Sequence, residues 1–465
     1  MKQIIKYRWF IFAFWLVATF LLVFFQPDVN AILRQRGQHP ISNDSPSAMA
    51  DSILSKMETT KGTNNILVFF DKNKITNDEM KQIKTAVNSI KEKQSDFGIA
   101  EIIDPFNIPE AKASLISKDG TTLMVSFKLN KGSREVDDIK KEIDTNLTNV
   151  TTEHYLTGQD FINNDYLKAS VAGVEKSAIL TVIFILIILI LMFRSVIIPF
   201  VSLITVAFSY LTSMGIAAQL IDKVNFPVTT LTQMLLILIL FGIGTDYNIL
   251  LFNRFKEELY NGLSVNDAII KTYKTAGKTI TFSVLTILIA FFSLILSESP
   301  IYKSAIVVVI GATMLLLEIL TLTPFAMKLL GAKLFWPSKS TTAHKESKTW
   351  HKIASISTKH PIVSGVAIAL IIGITVIFHQ QKLNFDTISE LGNSYPSTKG
   401  FSIVSEHFGK GQAMPVTVVI ESDKTLDNNE ALGAIDNITE TIKKMKGISK
   451  VSSATQPEGK QIDNF

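Results

Sequence analysis

Seven long apolar stretches constrain the fold of this chain more than any other feature of its sequence. A helix needs about 20 residues to cross a bilayer core of about 30 Å, within a range of about 17–25 residues. The stretches that meet or approach this length are Trp9–Phe25, Ala178–Phe193, Val196–Leu220, Val228–Phe252, Ile280–Ser297, Ser304–Thr323 and Ile362–Phe378. The second is short as written, and we expect its helix to begin earlier, near Lys168. Because seven such runs are hard to bury in a soluble core, we predict a polytopic α-helical membrane protein.

Composition excludes several other classes of protein. The chain has no Cys, which excludes a disulfide scaffold and a thiolate metal site, and its seven His residues show no ligand spacing, so we expect no metal. Gly242 and Gly244 lie within an apolar helix instead of after a strand, which argues against a dinucleotide site. Without a phosphate-binding loop pattern, we expect neither an enzyme nor a bound cofactor. The net charge of +5 comes from cations beside the apolar stretches, which argues against a nucleic-acid partner.

The distribution of Lys and Arg predicts the topology. Cations concentrate at the N-terminus and in alternate loops, which hold Lys2, Lys6, Arg8, Arg194, Arg254, Lys256, Lys271, Lys274, Lys278 and the lysines between Lys328 and Lys359. The opposite short loops hold only Lys223 and Lys303. Since cytoplasmic loops carry the excess of Lys and Arg, we predict a cytoplasmic N-terminus, an uncleaved first helix, and exterior segments at residues 26–175 and 380–465.

Residues 64–158 have the pattern of a small α+β domain. The predicted elements, in the order β-α-β-β-α-β, are Asn65–Phe70, Thr76–Gln94, Gly98–Ile103, Thr121–Leu129, Glu135–Leu147 and Thr152–Thr157. This order is that of the ferredoxin-like split βαβ arrangement. We therefore predict a ferredoxin-like exterior domain.

The chain also contains an internal repeat at an offset of about 350 residues. Pro396 repeats Pro46, the strand-like run Val416–Ile420 repeats Ile66–Phe70, and Gly447 repeats Gly98 at an offset of 349. We expect an incomplete second copy and a chain that is a piece of a two-copy membrane protein. The expected domains are a first transmembrane helix (1–25), an exterior domain (26–175), a five-helix bundle (176–330), a cytoplasmic linker (331–361), a seventh helix (362–380) and a truncated second exterior domain (381–465).

Asp246 is an acid within the fourth apolar stretch, in the sequence GIGTDY at residues 242–247. A charge at mid-bilayer costs about 2.5–3.5 kcal/mol on insertion scales, so such a carboxyl can be neutral in one state and charged in another, as a proton carrier requires. Residues three and four apart share a helix face, which places Gly242 and Leu250 beside Asp246. Small residues let helices approach closely, so Gly242 and Gly244 are predicted packing positions. A structural polar residue near the helix end is the alternative.

Further polar residues accompany Asp246 in the apolar stretches. Tyr247 points about 100° away from Asp246, toward another helix. Glu318, in the sixth stretch, is interpreted as a second relay group, as a partner held neutral, or as a structural hydrogen-bonding residue. Hydroxyl groups that either line a polar path or satisfy backbone carbonyls are contributed by Thr205, Ser209, Ser283 and Ser293.

Several motifs together resemble the MMPL (mycobacterial membrane protein large) family of the resistance-nodulation-division, or RND, superfamily. GIGTDY at residues 242–247, followed by RFKEEL at 254–259, resembles the fourth helix of that family. LFWP at 334–337, PSTKGF at 396–401 and YLTG at 155–158 are similar to its other motifs and occur in the same order. The resemblance covers essentially the whole chain. The resemblance departs at Leu250, where the family often has Phe. The family's tenth helix, which normally carries the partner of the proton-relay residues on the fourth helix, has no counterpart here.

The resemblance implies an exporter in the bacterial cell membrane, driven by the proton motive force, that moves lipids, fatty acids or other hydrophobic compounds. It implies that Asp246 and Tyr247 carry the proton relay, with support from Ser283, and that residues 26–175 form a porter domain. Expected partners are the hydrophobic substrate, membrane lipids, protons and the second half of the same polypeptide, with a homo-oligomer as the alternative. Two further hypotheses are a SecDF-like aid to protein translocation and a non-transporting, sterol-sensing-like sensor.

Overall fold

The computed structural model describes residues 1–36, 45–57, 62–108, 112–229, 231–297, 299–337, 348–378, 386–457 and 459–462. The chain divides into two units. The first comprises Met1–Ser42 and Tyr166–Glu390, and the second comprises Asn43–Asp165 and Leu391–Phe465. Each unit is therefore assembled from two separate segments of the chain.

The helices of both units have the following bounds. In chain order they are α1 (Lys2–Lys6), α2 (Arg8–Phe24), α3 (Val29–Arg36), α4 (Pro46–Lys56), α5 (Asn77–Glu92), α6 (Lys112–Leu115), α7 (Val136–Asn146), α8 (Gln159–Phe193), α9 (Ile197–Val224), α10 (Leu231–Tyr260), α11 (Val265–Thr272), α12 (Lys278–Phe292), α13 (Pro300–Ser304), α14 (Val307–Leu330), α15 (Lys348–Lys359), α16 (Pro361–Phe378), α17 (Thr387–Leu391), α18 (Pro396–Phe408), α19 (Lys410–Ala413) and α20 (Asn429–Lys443). The strands are β1 (Thr63–Phe70), β2 (Ile99–Ile103), β3 (Thr122–Leu129) and β4 (Glu153–Gly158).

The first unit contains helices that are long and apolar enough to cross a membrane. Six such spans occur among the described residues, at Arg8–Leu33, Gln159–Phe193, Ile197–Val224, Leu231–Tyr260, Val265–Leu296 and Tyr302–Phe335. A bent pair, α15 and α16, adds a seventh if it is counted as one span, and its two helices meet at 102°. Each predicted apolar stretch therefore coincides with a helical segment to within a few residues at its ends. The second helix begins even earlier than expected, because α8 continues without a break from the end of β4.

The helices α9, α10 and α14 form the centre of this bundle. Small residues allow the close approach: a Cβ at Gly311 would come within 2.6 Å of Leu236 and Leu240 on α10. On the other side of α9 and α14, α2 is held by hydrogen bonds from Trp15 Nε1 to Thr321 Oγ1 (3.0 Å) and between the Thr19 and Thr212 hydroxyls (3.0 Å). The outer faces of the bundle are rich in exposed apolar side chains, as expected of surfaces that contact lipid.

The second unit contains a four-stranded sheet in the order β2-β3-β1-β4, and all neighbouring strands are antiparallel. The helices α5 and α7 cover one face, where alternate residues of β1 such as Leu67 and Phe69 enter a core with Ile83 and Ile139. The six predicted elements form with ends within two residues of those expected, and the short helix α6 is an addition. Thr76 begins α5 through a reciprocal capping box with Glu79.

The helix α18 covers the opposite face of this sheet. A Cβ at Gly400 would lie 2.9 Å from Tyr155 Cβ and 3.3 Å from Val68 Cγ1, so the helix backbone rests directly on β4 and β1. Polar contacts hold both ends. The Asp165 carboxylate accepts hydrogen bonds from the Ser397 backbone N–H (3.2 Å) and hydroxyl (2.6 Å), and His407 Nδ1 lies 3.2 Å from Asp119 Oδ2.

Asp119 is itself held in its charged form. Hydrogen bonds from the Ser117 side chain and from the Thr121 backbone and side chain keep the pKa of the Asp119 carboxyl below its usual range. The anion therefore remains beside His407, whose ring also packs 5.6 Å from that of Phe70. The PSTKGF motif, in the first half of α18, thus begins a helix that covers a sheet whose last strand ends 238 residues earlier in the chain.

One part of the predicted repeat is wrong. Residues Val416–Ile420, expected as a strand, form none, and neither does the segment at Gly447 and Ile448. A strand is stabilised by hydrogen bonds to a neighbouring strand, and no residue in the described part of the chain pairs with either segment. A helix does form between these two segments, as α20, with the Asn428 side chain accepting the Ala431 backbone N–H at its start.

Candidate functional site

Asp246 lies on the exposed face of α10. Its side chain is exposed, and so are Leu238, Gly242 and Leu250, which follow the same ridge at intervals of four residues. No hydrogen bond or ion pair joins Asp246 to another residue in the described parts of the chain. The predicted shared face of Asp246, Gly242 and Leu250 is therefore present, and it points away from the bundle.

The two glycines of GIGTDY have different environments although only two residues separate them. A Cβ at Gly244 would lie 2.8 Å from Val206 Cγ2 on α9 and 2.9 Å from Leu315 Cδ1 on α14. A Cβ at Gly242 would meet no described atom within 4 Å. Gly244 therefore packs inside this bundle, whereas Gly242 leaves a smooth surface beside Asp246. Tyr247 lies between the two faces, is partly buried and packs against the bundle core.

Substitution of the two glycines should separate these environments. We expect Gly244→Leu to lower the unfolding free energy by about 1–3 kcal/mol, the usual cost of overpacking, because Val206 and Leu315 occupy the space. Gly242→Leu should leave the contacts of α10 with α9 and α14 intact, and with them the stability of this 465-residue chain. Thermal unfolding of the two purified variants of this chain measures the difference. Equal melting temperatures for the two variants would contradict this assignment of faces.

A buried polar cluster lies on the opposite side of α10. The Asn248 side-chain amide donates to Ser202 Oγ (3.0 Å) and lies 3.3 Å from Thr205 Oγ1 on α9. Thr323 on α14 donates to Glu318 Oε1 (2.7 Å), and its hydroxyl lies 3.4 Å from Asn248 Oδ1. Glu318 is completely buried. This cluster therefore joins the three central helices through polar side chains in an otherwise apolar core.

The structure does not bring the two intramembrane acids together. Asn248 follows Asp246 by two residues, which is a rotation of about 200° around α10. Asp246 therefore faces outward while the Glu318 cluster faces inward. Asn248 is a site residue that the sequence analysis missed, although an amide in an apolar helix was a usable signal.

The hydroxyl residues proposed for a polar path divide into two groups. Thr205 and Ser209 are buried at the inner side of α9. Ser283 and Ser293, on and just beyond α12, are exposed, and Ser293 donates to its own helix at Ala290 O (2.7 Å). No hydrogen bond between Ser283 and Asp246 occurs among the described residues.

A second buried acid was also missed, at the C-terminal end of α10. The Glu258 side chain is completely buried, with its two oxygens 2.7 Å from Arg254 Nη2 and 2.8 Å from Lys271 Nζ. Arg254 also contacts Glu257 (2.6 Å). Because Lys271 lies on α11, this buried anion fixes α11 against the end of α10. The nearby LFWP motif is held by Ser195 Oγ, which donates to Leu334 O (2.6 Å).

Comparisons with known proteins identify relatives of the whole chain. Residues 39–364 match the family model described as the MMPL family. YdgH of Bacillus subtilis strain 168 is 34% identical over 466 residues, covering 100% of this chain and 52% of YdgH. The apo-petrobactin exporter of Bacillus anthracis is 24% identical over 460 residues, covering 89% of this chain and 60% of the exporter. The siderophore exporter MmpL5 of Mycobacterium tuberculosis (strain CDC 1551 / Oshkosh) is 25% identical over 373 residues, covering 78% of this chain and 38% of MmpL5.

The chain spans about half the length of the curated relatives it matches. Among solved structures, it is similar to SecDF, a translocon-associated membrane protein from Thermus thermophilus, with a TM-score of 0.40 and 12% identity. That match covers 80% of this chain and 65% of the SecDF chain.

Proposed function

Because the chain belongs to the MMPL family, we propose that it acts as part of a proton-driven exporter of lipids, fatty acids or other hydrophobic compounds in the bacterial cell membrane. Two of its relatives are named as exporters, of apo-petrobactin and of siderophores. The observation that carries the proposal is the position of Asp246 on the open face of α10, beside Gly242.

An acid on an apolar outer face is costly unless the rest of the protein covers it. Intramembrane acids are rare and usually face a bundle interior or a water-filled cavity. Here the flanking positions are Gly242 and Leu250, so a further helix can approach Asp246 closely on the Gly242 side. We propose that the remainder of the transporter supplies that helix, and that the interface so formed contains the proton-carrying carboxyl.

The proposed relay centres on Asp246, with Tyr247 at its side. Tyr247 is partly buried between the outer face and the core, which suits a hydroxyl that passes a proton or positions a water. Ser283 is a proposed supporting residue from the exposed surface of α12. Glu318 belongs to a separate buried cluster on the inner side of α10.

The exterior unit fits a substrate-handling role in such a protein. We propose that its antiparallel sheet, in the order β2-β3-β1-β4 with two covering helices, is the ferredoxin-like porter domain. The helix α18 covers its second face. The predicted topology, with a cytoplasmic N-terminus, places this unit outside the cytoplasm.

Extrusion of a hydrophobic dye tests the proposed function. An efflux-deficient bacterial host that expresses the full-length protein is loaded with Nile red and then energised. We expect a lower steady-state fluorescence than in the empty host, and we expect a protonophore to abolish the difference. Equal dye retention, together with defective secretion of an exported reporter protein in a deletion strain, would favour the translocation alternative. Equal retention with normal secretion would favour the sensor.

A further inference from the structure

A second feature of the membrane unit is independent of Asp246. We propose that the buried oxygen cluster around Glu318, between α9, α10 and α14, is a binding site for a sodium ion. This inference goes beyond the proposed proton relay, because its groups lie on the opposite side of α10 from Asp246.

The cluster offers oxygen ligands from all three helices at short range. Glu318 Oε1 accepts a hydrogen bond from Thr323 (2.7 Å), and Thr323 in turn lies 3.4 Å from Asn248 Oδ1. On α9, Ser202 and Thr205 lie within 3.3 Å of the Asn248 amide nitrogen. Thr205 also adjoins the Glu318 carboxyl.

Three buried polar atoms in this region have no hydrogen-bond partner among the described residues. They are Glu318 Oε2, Ser209 Oγ and Thr245 Oγ1. Glu318 and Ser209 are completely buried, and Thr245 is 5% exposed. A buried polar group without a partner lowers the stability of the fold, so a ligand that contacts these atoms would recover that free energy.

Other buried hydroxyl groups of the membrane unit do have hydrogen-bond partners, which are backbone carbonyls of their own helices. Ser213 donates to Ser209 O and Thr272 donates to Ala268 O (2.8 Å), each on its own helix. This back-bonding is common for Ser and Thr within helices. Ser209 and Thr245 do not form it, so their hydroxyls remain open to a partner from outside their helices.

The helix register separates the open groups into two levels. Gly244 faces Val206 on α9 and Leu315 on α14. Asn248, four residues after Gly244, contacts Ser202, four residues before Val206, and it also contacts Thr323 on α14, so α9 runs antiparallel to α10 whereas α14 runs parallel to it. Thr245 and Glu318 therefore lie on the same side of the Gly244 contact as Asn248, and Ser209 lies about one turn away on the other side. The open oxygens that can share one ligand are those of Glu318 and Thr245.

Charge and donor chemistry select the ion. The ligands are a carboxylate, hydroxyls and an amide oxygen, which suit hard cations. The cluster holds one carboxylate and no basic side chain, so a monovalent cation makes it neutral, whereas a divalent cation would leave a net positive charge in an apolar core. The oxygens that the contacts of Thr323 join lie 2.7 and 3.4 Å apart, a spacing that favours Na⁺ over the larger K⁺.

Thermal unfolding of the purified full-length protein in detergent tests this site. Melting temperatures are compared in NaCl, KCl and choline chloride at equal ionic strength. A ligand at about 100 times its dissociation constant shifts the folding equilibrium about 100-fold, and we expect NaCl to raise Tm by a few degrees relative to both other salts. An equal Tm in all three salts, or equal effects of NaCl and KCl, would overturn the proposal.

Variants then locate the effect. Glu318→Gln is expected to abolish the sodium-dependent rise in Tm, and Thr245→Val, which is isosteric, should weaken the apparent sodium affinity at least about tenfold. The matched control is Thr272→Val, whose hydroxyl bonds its own helix. An apparent sodium affinity in Thr245→Val equal to that of the wild type would rule out this site even if Glu318→Gln fails to fold.

Asp246→Asn separates this inference from the proposed function. We expect that variant to lose dye extrusion and to keep the full sodium-dependent rise in Tm. If extrusion is lost and the sodium rise is absent from the wild type, the relay stands and the sodium site fails. If the wild type shows the sodium-dependent rise in Tm and Asp246→Asn does not affect extrusion, the sodium site stands and the proposed relay fails.

Discussion

Replacement of Asp246 by Asn is expected to abolish dye extrusion in cells that express the full-length protein, while the protein still reaches the membrane. Asn keeps the size and polarity of the side chain but cannot take up or release a proton. One charge moved across about 100 mV is worth roughly 2.3 kcal/mol, which corresponds to a concentration ratio of about 50 for each coupled proton. We therefore expect the variant to lose concentrative export and not merely to slow it.

The measurement is the steady-state Nile red fluorescence of energised cells, normalised to the amount of protein in isolated membranes. Glu257→Gln is the matched control, because it removes an acid from the exposed C-terminal end of the same helix, where an ion pair is worth at most about 1 kcal/mol. Extrusion should stay close to the wild-type level in that control. Unchanged extrusion in Asp246→Asn would remove Asp246 from the relay.

The second large effect is expected at the buried anion of α10. Arg254→Ala combined with Lys271→Ala removes both cations that contact Glu258, whose side chain has no exposure. A buried charge left without its partner typically costs about 3–5 kcal/mol. We expect a fall of this size in unfolding free energy, seen as a lower Tm of the purified protein and as faster proteolysis between α10 and α11.

Replacing Glu258 should lower the unfolding free energy less than replacing both Arg254 and Lys271. Arg254 and Lys271 are partly exposed, at 29% and 51%, so both can reach water when Glu258 is replaced by Gln. Adding Glu258→Gln to the double variant should therefore restore much of the lost stability. A triple variant as unstable as the double variant would show that the two cations act through packing and not through the buried charge.

Local sequence patterns accounted for most of the secondary structure. The capping box of Thr76 and Glu79 begins α5 where the residue types require it, and alternation along β1 directs Leu67 and Phe69 to the helical side of the sheet. Such signals are contained in a few consecutive residues. The same reasoning failed at Val416–Ile420, because a strand also needs a partner and the described residues provide none.

The candidate site shows where local patterns are insufficient. Gly242 and Gly244 have similar neighbours in the sequence, yet Gly242 faces open space, whereas a Cβ at Gly244 would lie within 3 Å of side chains on two helices. The sequence marked both Asp246 and Glu318 as intramembrane acids. It contained no sign that Asn248 would approach Glu318 through Thr323 while Asp246 would face outward.

The sequence by itself determined the apolar spans, the alternation of charged loops that predicts their orientation, the elements of the α+β domain and the family. These properties follow from composition, periodicity and motifs along the chain. Only the tertiary structure decided which face of each membrane helix meets another helix, and that α18 covers the sheet. The physical reason is that lipid tails are as apolar as the side chains between helices, so hydrophobicity places a helix in the membrane without showing which side of it is buried in the protein.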